Sequence, residues 1–391
     1  MTGTLAIVET HPVQYHAPVY RRLAARGADV VAVYGGDFSV SGYRDQEFQA
    51  SFAWDTNLLD GVQNRFVSHV KTGGAKSYEE LGAAGLRAEL DKLNPAAVMA
   101  LGYSHPFDRA AIRWALSRRK PLLFRGETSD SAKGRGLLKT LLRDWMLRRL
   151  YKRCAALLYV GGNSRRHYAR LGVPAARLFF SPYCVNADTF RPGAGDRAAI
   201  RRQLGISEDA VVILYSGKLS ERKGVDLLPW AVRMLPAPMK DRAHLLFLGD
   251  GALREPLRTA CAEQPTVPAT FAGFQNQSAL SSFYLAADLL VLPSRSMETW
   301  GLVVNEALLH GLPCVVSDSV GCHPDLVIPG ETGAVFHGCD VTSLAKSLKA
   351  VISMAGKPGV AARCREQVAG YSVPAAAEGI RQGMQAAGIE P

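Results

Sequence analysis

The chain has 391 residues, of which 48% are hydrophobic, and its formal net charge at pH 7 is +11. This length favours two domains with full cores over one, and the seven scattered cysteines exclude a disulfide framework. No apolar stretch is long enough for a membrane span, and the first residues lack the basic segment of a secretion signal, so we expect a cytoplasmic protein with anionic partners.

The first predicted strand covers residues 4–8, and the helix that follows covers residues 18–26. The loop between them is polar and aromatic and contains no glycine, which excludes the G-x-G-x-x-G turn of a dinucleotide-binding fold. His16 in this loop is open to two interpretations. It either contacts an acceptor or is a hydrogen-bonded histidine in a packed loop.

Further strands are predicted at residues 97–101 and 121–124, and the loops after them contain His105, Arg125 and Glu127. Strands that alternate with helices predict a doubly wound parallel sheet, in which these loops open on one edge. The carboxylate of Glu127 suits sugar hydroxyls or a base, and it also suits the cap of the next helix.

Residues 133–153 carry eight basic residues and one acidic residue among apolar ones, which predicts a basic amphipathic helix. Two interpretations stay open: a surface that binds a membrane with anionic lipid, and a helix packed on the sheet with its basic face in water. A nucleic-acid partner is not expected, because only Trp145 and Tyr151 interleave these charges.

After a predicted linker at residues 186–195, a second α/β unit begins with a strand at residues 211–215. The loop after this strand contains a glycine and three cations that suit a diphosphate: Gly217, Lys218, Arg222 and Lys223. Strands at residues 245–248 and 271–274 bring three more residues to the same edge, where a base could bind: Gly249, Gly251 and Phe274.

Residues 289–317 read as a strand, a loop, a helix and a second strand, which is a parallel βαβ unit. Glu298 precedes the helix, and Glu306 follows eight positions later, roughly 12 Å away if the chain between them is helical. The two carboxylates can therefore serve different parts of one elongated ligand. The helix start offers free amide groups to an anion at Thr299, Trp300, Gly301 and Leu302.

A nucleotide diphosphate sugar would find a partner for each of its parts here. Glu306 can accept hydrogen bonds from both ribose hydroxyls, and Lys218 and Lys223 can neutralise the diphosphate. Glu298 is left for the sugar, and we expect it to point across a cleft towards the loops of the first domain. The chain contains no D-x-D pair, so neither a metal nor another cofactor is expected.

Taken together, the two glutamates, the basic loop after Gly217, Gly249-Asp250-Gly251 and Gly330-Glu331-Thr332-Gly333 resemble the retaining nucleotide-sugar glycosyltransferases of family 4. The resemblance implies a GT-B fold, in which two Rossmann-like domains face each other across a cleft. It implies an acceptor domain at residues 1–187, completed by a C-terminal helix at 373–391 that crosses back, and a donor domain at 188–372.

The resemblance also implies that Lys223 and the preceding basic position bind the diphosphate, that Glu298 contacts the donor sugar, and that Glu306 contacts the ribose. Two positions depart from the family pattern. Lys218 stands where arginine is usual, and Arg125-Gly126-Glu127 stands where the first domain usually places a histidine near the donor sugar. The N-terminal contact to the sugar therefore stays open between Arg125, Glu127, His16 and His105.

The expected activity is transfer of a sugar, with retention, to the hydroxyl of a glycan, a lipid-linked molecule or a small metabolite. A UDP-sugar is the favoured donor and a GDP-sugar the second. Two alternatives share the architecture: a sugar-nucleotide epimerase and a catalytically silent sugar-nucleotide-binding protein. A peripheral location on the cytoplasmic face of a membrane follows if the basic helix binds lipid.

Overall fold

The computed structural model describes residues 3–45, 50–128, 130, 136–190, 195–264 and 266–390. Over these residues the chain forms two α/β domains, each built on its own parallel sheet. None of the described helices is both long and apolar enough to cross a bilayer. Residues 133–135 of the basic segment and 191–194 of the predicted linker lie outside the described residues.

The described part of the N-terminal domain has these strands: β1 Leu5–Glu9, β2 Val30–Gly36, β3 Tyr43–Asp45, β4 Ala50–Phe52, β5 Gln63–Ser68, β6 Ala97–Ala100, β7 Leu122–Arg125, β8 Ala156–Tyr159 and β9 Leu178–Phe180. Seven of them form a parallel sheet in the order β5-β2-β1-β6-β7-β8-β9, and β3 and β4 form a separate antiparallel hairpin. Every residue of β1, β2 and β6 is buried, because helices cover both faces of the sheet.

The helices of this domain are α1 Ala17–Ala24, α2 Phe38–Ser41, α3 Leu86–Leu93, α4 Pro106–Ser117, α5 Leu137–Arg153 and α6 Gly162–Arg170, with single 3₁₀ turns at Val70–Thr72 and Ala175–Arg177. One face of the sheet packs against Phe107 and Trp114 of α4 and Leu147 of α5. The other face packs against Tyr20 and Leu23 of α1. The domain therefore has two cores, one on each side of the sheet.

The C-terminal domain has the strands β10 Val211–Ser216, β11 Ala243–Leu248, β12 Ala269–Gly273, β13 Leu289–Leu292, β14 Cys314–Ser317 and β15 Gly333–Phe336. They form one parallel sheet in the order β12-β11-β10-β13-β14-β15. The helices are α7 Arg197–Gln203, α8 Leu227–Arg233, α9 Ala237–Lys240, α10 Arg254–Ala262, α11 Leu280–Ala286, α12 Leu302–Leu309, α13 His323–Leu326, α14 Val341–Met354, α15 Val360–Ala369 and α16 Val373–Ala386, with 3₁₀ turns at Glu221–Lys223 and Gln277–Ala279.

The last helix, α16, leaves the C-terminal domain and packs on the first sheet beside α1. Ala376, Ile380 and Met384 of this helix are fully buried there. Gly379 allows the close approach, since a Cβ at this position would lie 1.9 Å from the carbonyl oxygen of Phe180. The predicted fold class, including the helix that crosses back, is confirmed.

Most predicted strands and helices agree with the structure to within a few residues, and the unit predicted at residues 289–317 begins at the first residue of β13 and ends at the last residue of β14. The prediction that Arg125 lies in a loop was wrong, because β7 extends to this residue and buries it. The sequence analysis missed β5, whose residues are all exposed or half-buried at the edge of the sheet. Such a strand lacks the apolar run by which buried strands are recognised.

Candidate active site

A cavity of about 670 Å³ lies between the two domains, at the carboxyl ends of their central strands. In each sheet the chain order reverses between two neighbouring strands, β1 and β6 in the first sheet and β10 and β13 in the second. The loops diverge at such a reversal and leave a crevice where ligands bind. Glu9 and Leu101 line the cavity from the first reversal, and Ser216 and Leu292 line it from the second.

Lys223 and Glu298 form an ion pair in the wall of this cavity. The Nζ atom of Lys223 donates to Oε2 of Glu298, and the hydroxyl of Ser294 donates to the same oxygen over 2.9 Å. The side chains of the ion pair are 15% and 14% exposed. Gly224, at φ +64°, brings the two loops together, because a Cβ there would lie 2.1 Å from the carbonyl oxygen of Pro293.

The prediction that Glu298 points across the cleft was wrong. The hydrogen-bond partners that the structure describes for its carboxylate, Lys223 and Ser294, both belong to its own domain. Thr299 makes the crossing instead, and its hydroxyl donates to Glu127 on the loop after β7. Glu298 pairs with Val320 as in a strand. Successive side chains of a strand point in opposite directions, so the side chain that reaches the other domain is that of Thr299 and not that of Glu298.

The first turn of α12 borders the cavity, as the sequence predicts for an anion site. Gly301 precedes the helix at φ +101°, in the left-handed region. The indole N–H of Trp300 donates to Asn305 over 2.8 Å, which holds the loop against the helix. The first main-chain N–H groups of a helix have no partner within it, so those of α12 are available to an anion here.

Glu306, the predicted ribose ligand, is 1% exposed, and a phenol donates to each of its carboxylate oxygens. Tyr15, from the loop after β1, donates to Oε1 over 2.7 Å, and Tyr284 of α11 donates to Oε2. Burial raises the pKa of Glu306 to about 7. Tyr15 lines the cavity and Glu306 does not, so the N-terminal domain covers the carboxylate that was assigned to the donor.

On the opposite wall, Glu9, His16 and Arg125 form a hydrogen-bonded chain. The Nε2 atom of His16 lies 3.2 Å from Nη1 of Arg125, and its Nδ1 atom lies 2.6 Å from Oε1 of Glu9. A guanidinium has only N–H donors, so Nε2 accepts and Nδ1 carries the hydrogen that it donates to Glu9. Both ring nitrogens of His16 are thereby engaged, and the residue holds the wall together.

The guanidinium of Arg125 is buried and fills a socket of main-chain oxygens. Its Nη2 atom donates to the carbonyl oxygens of Ser181 and Pro182 over 3.3 and 3.1 Å. Its carbon lies 4.9 Å from the ring centroid of Tyr183, and the hydroxyl of Tyr183 donates to Glu127. Glu127 thus accepts from Tyr183 and from Thr299 of the other domain, so it is neither a helix cap nor a separate surface group.

His105, one of the four candidates for the acceptor side, does not line the cavity. Its Nδ1 atom accepts from the backbone N–H of Phe107 over 3.2 Å and caps α4. Its Nε2 atom lies 3.2 Å from the carbonyl oxygen of Tyr78, to which it donates. The signal for this role was Pro106, since proline favours the first turn of a helix and places the cap immediately before it.

Residues 196–368 match the family model described as glycosyl transferases group 1. The matched region contains all six strands of the second sheet, the ion pair of Lys223 and Glu298, and Glu306. The C-terminal domain is similar to the group 1 glycosyl transferases, and we call it the group 1 domain. The family resemblance that the sequence motifs indicated is confirmed over this domain.

Curated relatives of the group 1 domain include the D-inositol 3-phosphate glycosyltransferase of Geodermatophilus obscurus, which is 34% identical over 48% of this chain and 42% of its own. Another is the GDP-mannose-dependent alpha-(1-6)-phosphatidylinositol monomannoside mannosyltransferase of Mycobacterium tuberculosis, which is 30% identical over 52% of this chain and 54% of its own. The chain spans about half the length of these curated relatives.

Solved structures of glycosyltransferases match almost the whole chain. HepE of Anabaena, solved in complex with UDP, has a TM-score of 0.74 at 16% identity and covers 98% of this chain and 100% of its own. Sucrose-phosphate synthase of Thermosynechococcus elongatus has a TM-score of 0.68 at 20% identity and covers 98% of both chains. At these identities the likeness shows the fold, which is GT-B.

Within the group 1 domain, the predicted diphosphate loop reaches the cavity through Gly217 and Lys223, whereas Lys218 and Arg222 are not among the residues that line it. Gly249, Gly251 and Phe274 do not line it either. Gly249 serves the packing of the loops, since a Cβ at this position would lie 1.9 Å from the carbonyl oxygen of Gly217.

The cavity wall opposite the group 1 domain also contains residues that the sequence analysis missed: Tyr78, Tyr103, Asp108 and Arg143. Burial, and then the nearby charge of Glu9, raises the pKa of Asp108 to about 6. Asp108 lies in the first turn of α4, where an acidic residue is expected for the helix dipole alone. Only its position behind the end of β6 could have marked it as a site residue.

Proposed function

We propose that the protein transfers a sugar from a nucleotide diphosphate sugar to a hydroxyl acceptor, with retention at the anomeric carbon. The ion pair of Lys223 and Glu298 carries this proposal. It lies at the strand reversal of the group 1 domain, beside the first turn of α12, in a cavity shared with the other domain. An ammonium group and helix amides at one place suit the charge that develops on a departing diphosphate.

In the proposed reaction, the bond between the anomeric carbon and the β-phosphate oxygen breaks while the acceptor oxygen bonds to the same face of that carbon. The hydroxyl proton of the acceptor passes to the departing phosphate oxygen. Lys223 stabilises the negative charge on the diphosphate, and Glu298 holds the ammonium group and a sugar hydroxyl in place. No covalent sugar-enzyme bond is formed, and the protein's cations perform the task that a metal performs in other transferases.

Donor binding at Glu306 requires a local change. Glu306 is 1% exposed and does not line the cavity, whereas Tyr15 lines it and donates to this carboxylate, so ribose hydroxyls can reach Glu306 only if the phenol of Tyr15 withdraws. Tyr284 belongs to the same domain as Glu306, whereas Tyr15 belongs to the loop after β1. We therefore propose that donor binding displaces this loop from the group 1 domain.

The base of the donor is proposed to be uridine, with guanosine as the second candidate. The name of the mycobacterial relative supports guanosine, since that protein is GDP-mannose-dependent. A thermal-shift screen of UDP, GDP, ADP, CDP and TDP decides between them. The nucleotide that binds best raises the midpoint of unfolding by mass action, and stabilisation by none of the five would contradict the proposal.

Catalysis is tested with sugar donors of the base found in that screen. Slow release of the nucleotide diphosphate in the absence of an acceptor supports a transferase, whereas conversion of the donor into its epimer supports the epimerase alternative. Glu298→Ala should abolish both release and transfer while the far-UV circular dichroism stays unchanged. Glu366→Ala, an exposed glutamate on α15, is the matched control and should retain full activity.

A further inference from the structure

Helix α5 presents a wide apolar face to solvent. Leu141 and Leu142 are each 66% exposed, and Leu138, Trp145 and Met146 are 82%, 55% and 45% exposed. These five residues are spaced by three, four, seven and eight positions, so they share one side of the helix. Of the nine exposed large apolar side chains in the described residues, five lie on these two turns. A monomeric protein rarely exposes so concentrated an apolar patch unless it binds something.

The opposite side of α5 holds the helix on the domain without help from this patch. Leu147 and Tyr151 are buried against the first sheet. Asp144, the one acidic residue of the helix, is buried and forms an ion pair with Arg170 of α6. The helix is therefore anchored by a narrow face, and the fold does not need the exposed side chains.

Cations of α5 flank the apolar patch, and no acidic residue of this helix lies among them. The exposed basic residues of the helix are Lys139, Arg148, Arg149, Lys152 and Arg153. The guanidinium of Arg149 lies over the ring of Trp145, 4.5 Å from its centroid. Because the only acidic residue of α5 is buried and paired, the exposed side is apolar in the middle and positive around it. This is the surface that an interface with anionic lipid headgroups matches.

The patch lies close to the cavity. Arg143, on the same turns of α5, has its side chain only 11% exposed. Its Nε atom donates to the hydroxyl of Tyr103 over 3.3 Å, and both residues line the acceptor side of the cavity. The apolar side of the helix is thus about one helix diameter, roughly 10 Å, from the cavity wall.

We propose that the exposed face of α5 binds a membrane surface that contains anionic lipid, with the helix lying in the plane of the headgroups. The apolar side chains enter the boundary between headgroups and acyl chains, and the flanking cations contact the lipid phosphates. The cavity then lies about one helix diameter, roughly 10 Å, from the lipid, which suits an acceptor whose hydroxyl belongs to a lipid headgroup. The binding part of this proposal does not depend on the proposed transfer activity.

Co-sedimentation with vesicles tests the binding directly. The full chain should sediment with vesicles of equal parts phosphatidylcholine and phosphatidylglycerol and far less with phosphatidylcholine alone. The variant L141S/L142S/W145S should lose at least about 10-fold in affinity, because the apolar contact area supplies much of such binding. The matched control is W230S/M234S, which removes two side chains of similar exposure, 51% and 52%, from α8 and the residue that follows it in the other domain.

The control variant should sediment like the wild type. If the wild type stays in the supernatant, or if L141S/L142S/W145S sediments as well as the control, the proposal is wrong. Equal binding to both kinds of vesicle would contradict the part of the proposal that requires anionic lipid. The emission of Trp145, obtained by subtracting the spectrum of W145F, should move to shorter wavelength with anionic vesicles only.

Self-association is the competing occupant of this face, and sedimentation velocity without lipid distinguishes it. We expect a monomer at all concentrations for the wild type and the triple variant. A dimer that L141S/L142S/W145S dissociates would overturn the proposal in favour of a second copy of the chain. The triple variant should release nucleotide diphosphate from the donor at the wild-type rate when no lipid is present. This measurement distinguishes a failure of the proposed activity from a failure of the proposed lipid binding.

Discussion

The two walls of the cleft are built in different ways. The C-terminal wall presents a partly exposed ion pair, Lys223 and Glu298, whose members come from neighbouring strand ends of one sheet. The N-terminal wall presents a chain of hydrogen bonds from Glu9 through His16 to the buried guanidinium of Arg125. The ion pair leaves charged groups at the surface of the cavity. In the N-terminal wall, the polar groups bond to one another and to backbone carbonyl oxygens.

We infer from this difference that the C-terminal wall acts in the reaction and that the N-terminal wall supports the fold. The ion pair of Lys223 and Glu298 lines the cavity, so each member can exchange its partner for a ligand. A buried guanidinium that donates to two carbonyl oxygens cannot leave without exposing unsatisfied acceptors. We therefore expect substitutions in the C-terminal wall to act on turnover and substitutions in the N-terminal wall to act on folding.

After Glu298→Ala, the largest effect is expected from Lys223→Ala. Removing a group that stabilises charge in the transition state costs about 10²- to 10³-fold in turnover, while the far-UV circular dichroism should stay that of the wild type. The measurement is nucleotide release from the donor at saturating concentration. Lys346→Ala, an exposed lysine of the same domain, is the control. Turnover within twofold of the wild type in K223A would remove Lys223 from the mechanism.

Arg125→Met tests the other wall. The substitution leaves the carbonyl oxygens of Ser181 and Pro182 and the Nε2 atom of His16 without their donor. Buried acceptors without partners cost about 1 to 3 kcal/mol each, so the free energy of unfolding should fall by at least about 3 kcal/mol in urea titrations.

Arg113→Met is the control for Arg125→Met, since Arg113 is exposed on α4. Its free energy of unfolding should stay within about 0.5 kcal/mol of the wild type. An Arg125→Met protein as stable as this control would show that the socket around Arg125 does not support the wall.

Glu306→Gln should reveal a residue kept at a cost in stability. Because burial raises the pKa of Glu306 from 4.5 to about 7, the folded protein binds a proton that the unfolded chain has released. The free energy of unfolding that this bound proton supplies is lost as pH rises from 4.5 to about 7. The loss reaches about 3 kcal/mol above pH 7. The unfolding free energy of the wild type should fall relative to E306Q between pH 5 and pH 8.

The same variant should bind the nucleotide about 10- to 100-fold more weakly by calorimetry, because hydrogen bonds to a charged group are among the strong ones. Glu366→Gln is the control for both measurements, since Glu366 is exposed. If E306Q keeps the wild-type affinity, the ribose is bound elsewhere, whatever the pH dependence shows.

The smallest effect is expected from Tyr15→Phe, which sharpens the contrast between the two domains. If the donor must displace Tyr15 from Glu306, losing this one hydrogen bond of about 1 kcal/mol should tighten nucleotide binding a few-fold. Tyr284→Phe removes the other phenol, which lies in the same domain as Glu306, and should not tighten binding. Weaker binding by Y15F would mean that Tyr15 stays in place and helps to hold the nucleotide.

The prediction from sequence was correct where the residues that indicate a structure are adjacent in the chain. The strands β13 and β14 with helix α12 between them could be read from an apolar run, a helical period and two turns, and the unit places Glu298 and Glu306 in order. The edge strand β5 could not be predicted, since its pattern of burial depends on its neighbour β2. The placement of Lys223 next to Glu298 followed only in part, because strand order in the sheet sets it.

The N-terminal wall was predicted less well, because its residues act through partners far away in the chain. His16 and Arg125 are 109 positions apart and Thr299 and Glu127 are 172 apart, so no local pattern pairs them. The sequence left His16 open between a ligand contact and a packed histidine, and it offered His105 and Arg125 as candidate ligand contacts. The structure shows His16 in a hydrogen-bonded chain, His105 as a helix cap and Arg125 in a buried socket. The same holds for α5, whose period predicts an amphipathic helix without saying which apolar residues the domain buries.

The sequence alone determined the architecture, the family resemblance of the C-terminal domain and the charges available to a donor, because period, turn chemistry and residue type are local properties. The tertiary structure alone decided that Tyr15 covers Glu306, that Thr299 rather than Glu298 crosses the cleft, and that five apolar side chains of α5 remain in solvent. These facts depend on how elements that are distant in the sequence pack together, because this packing decides which side chains are buried.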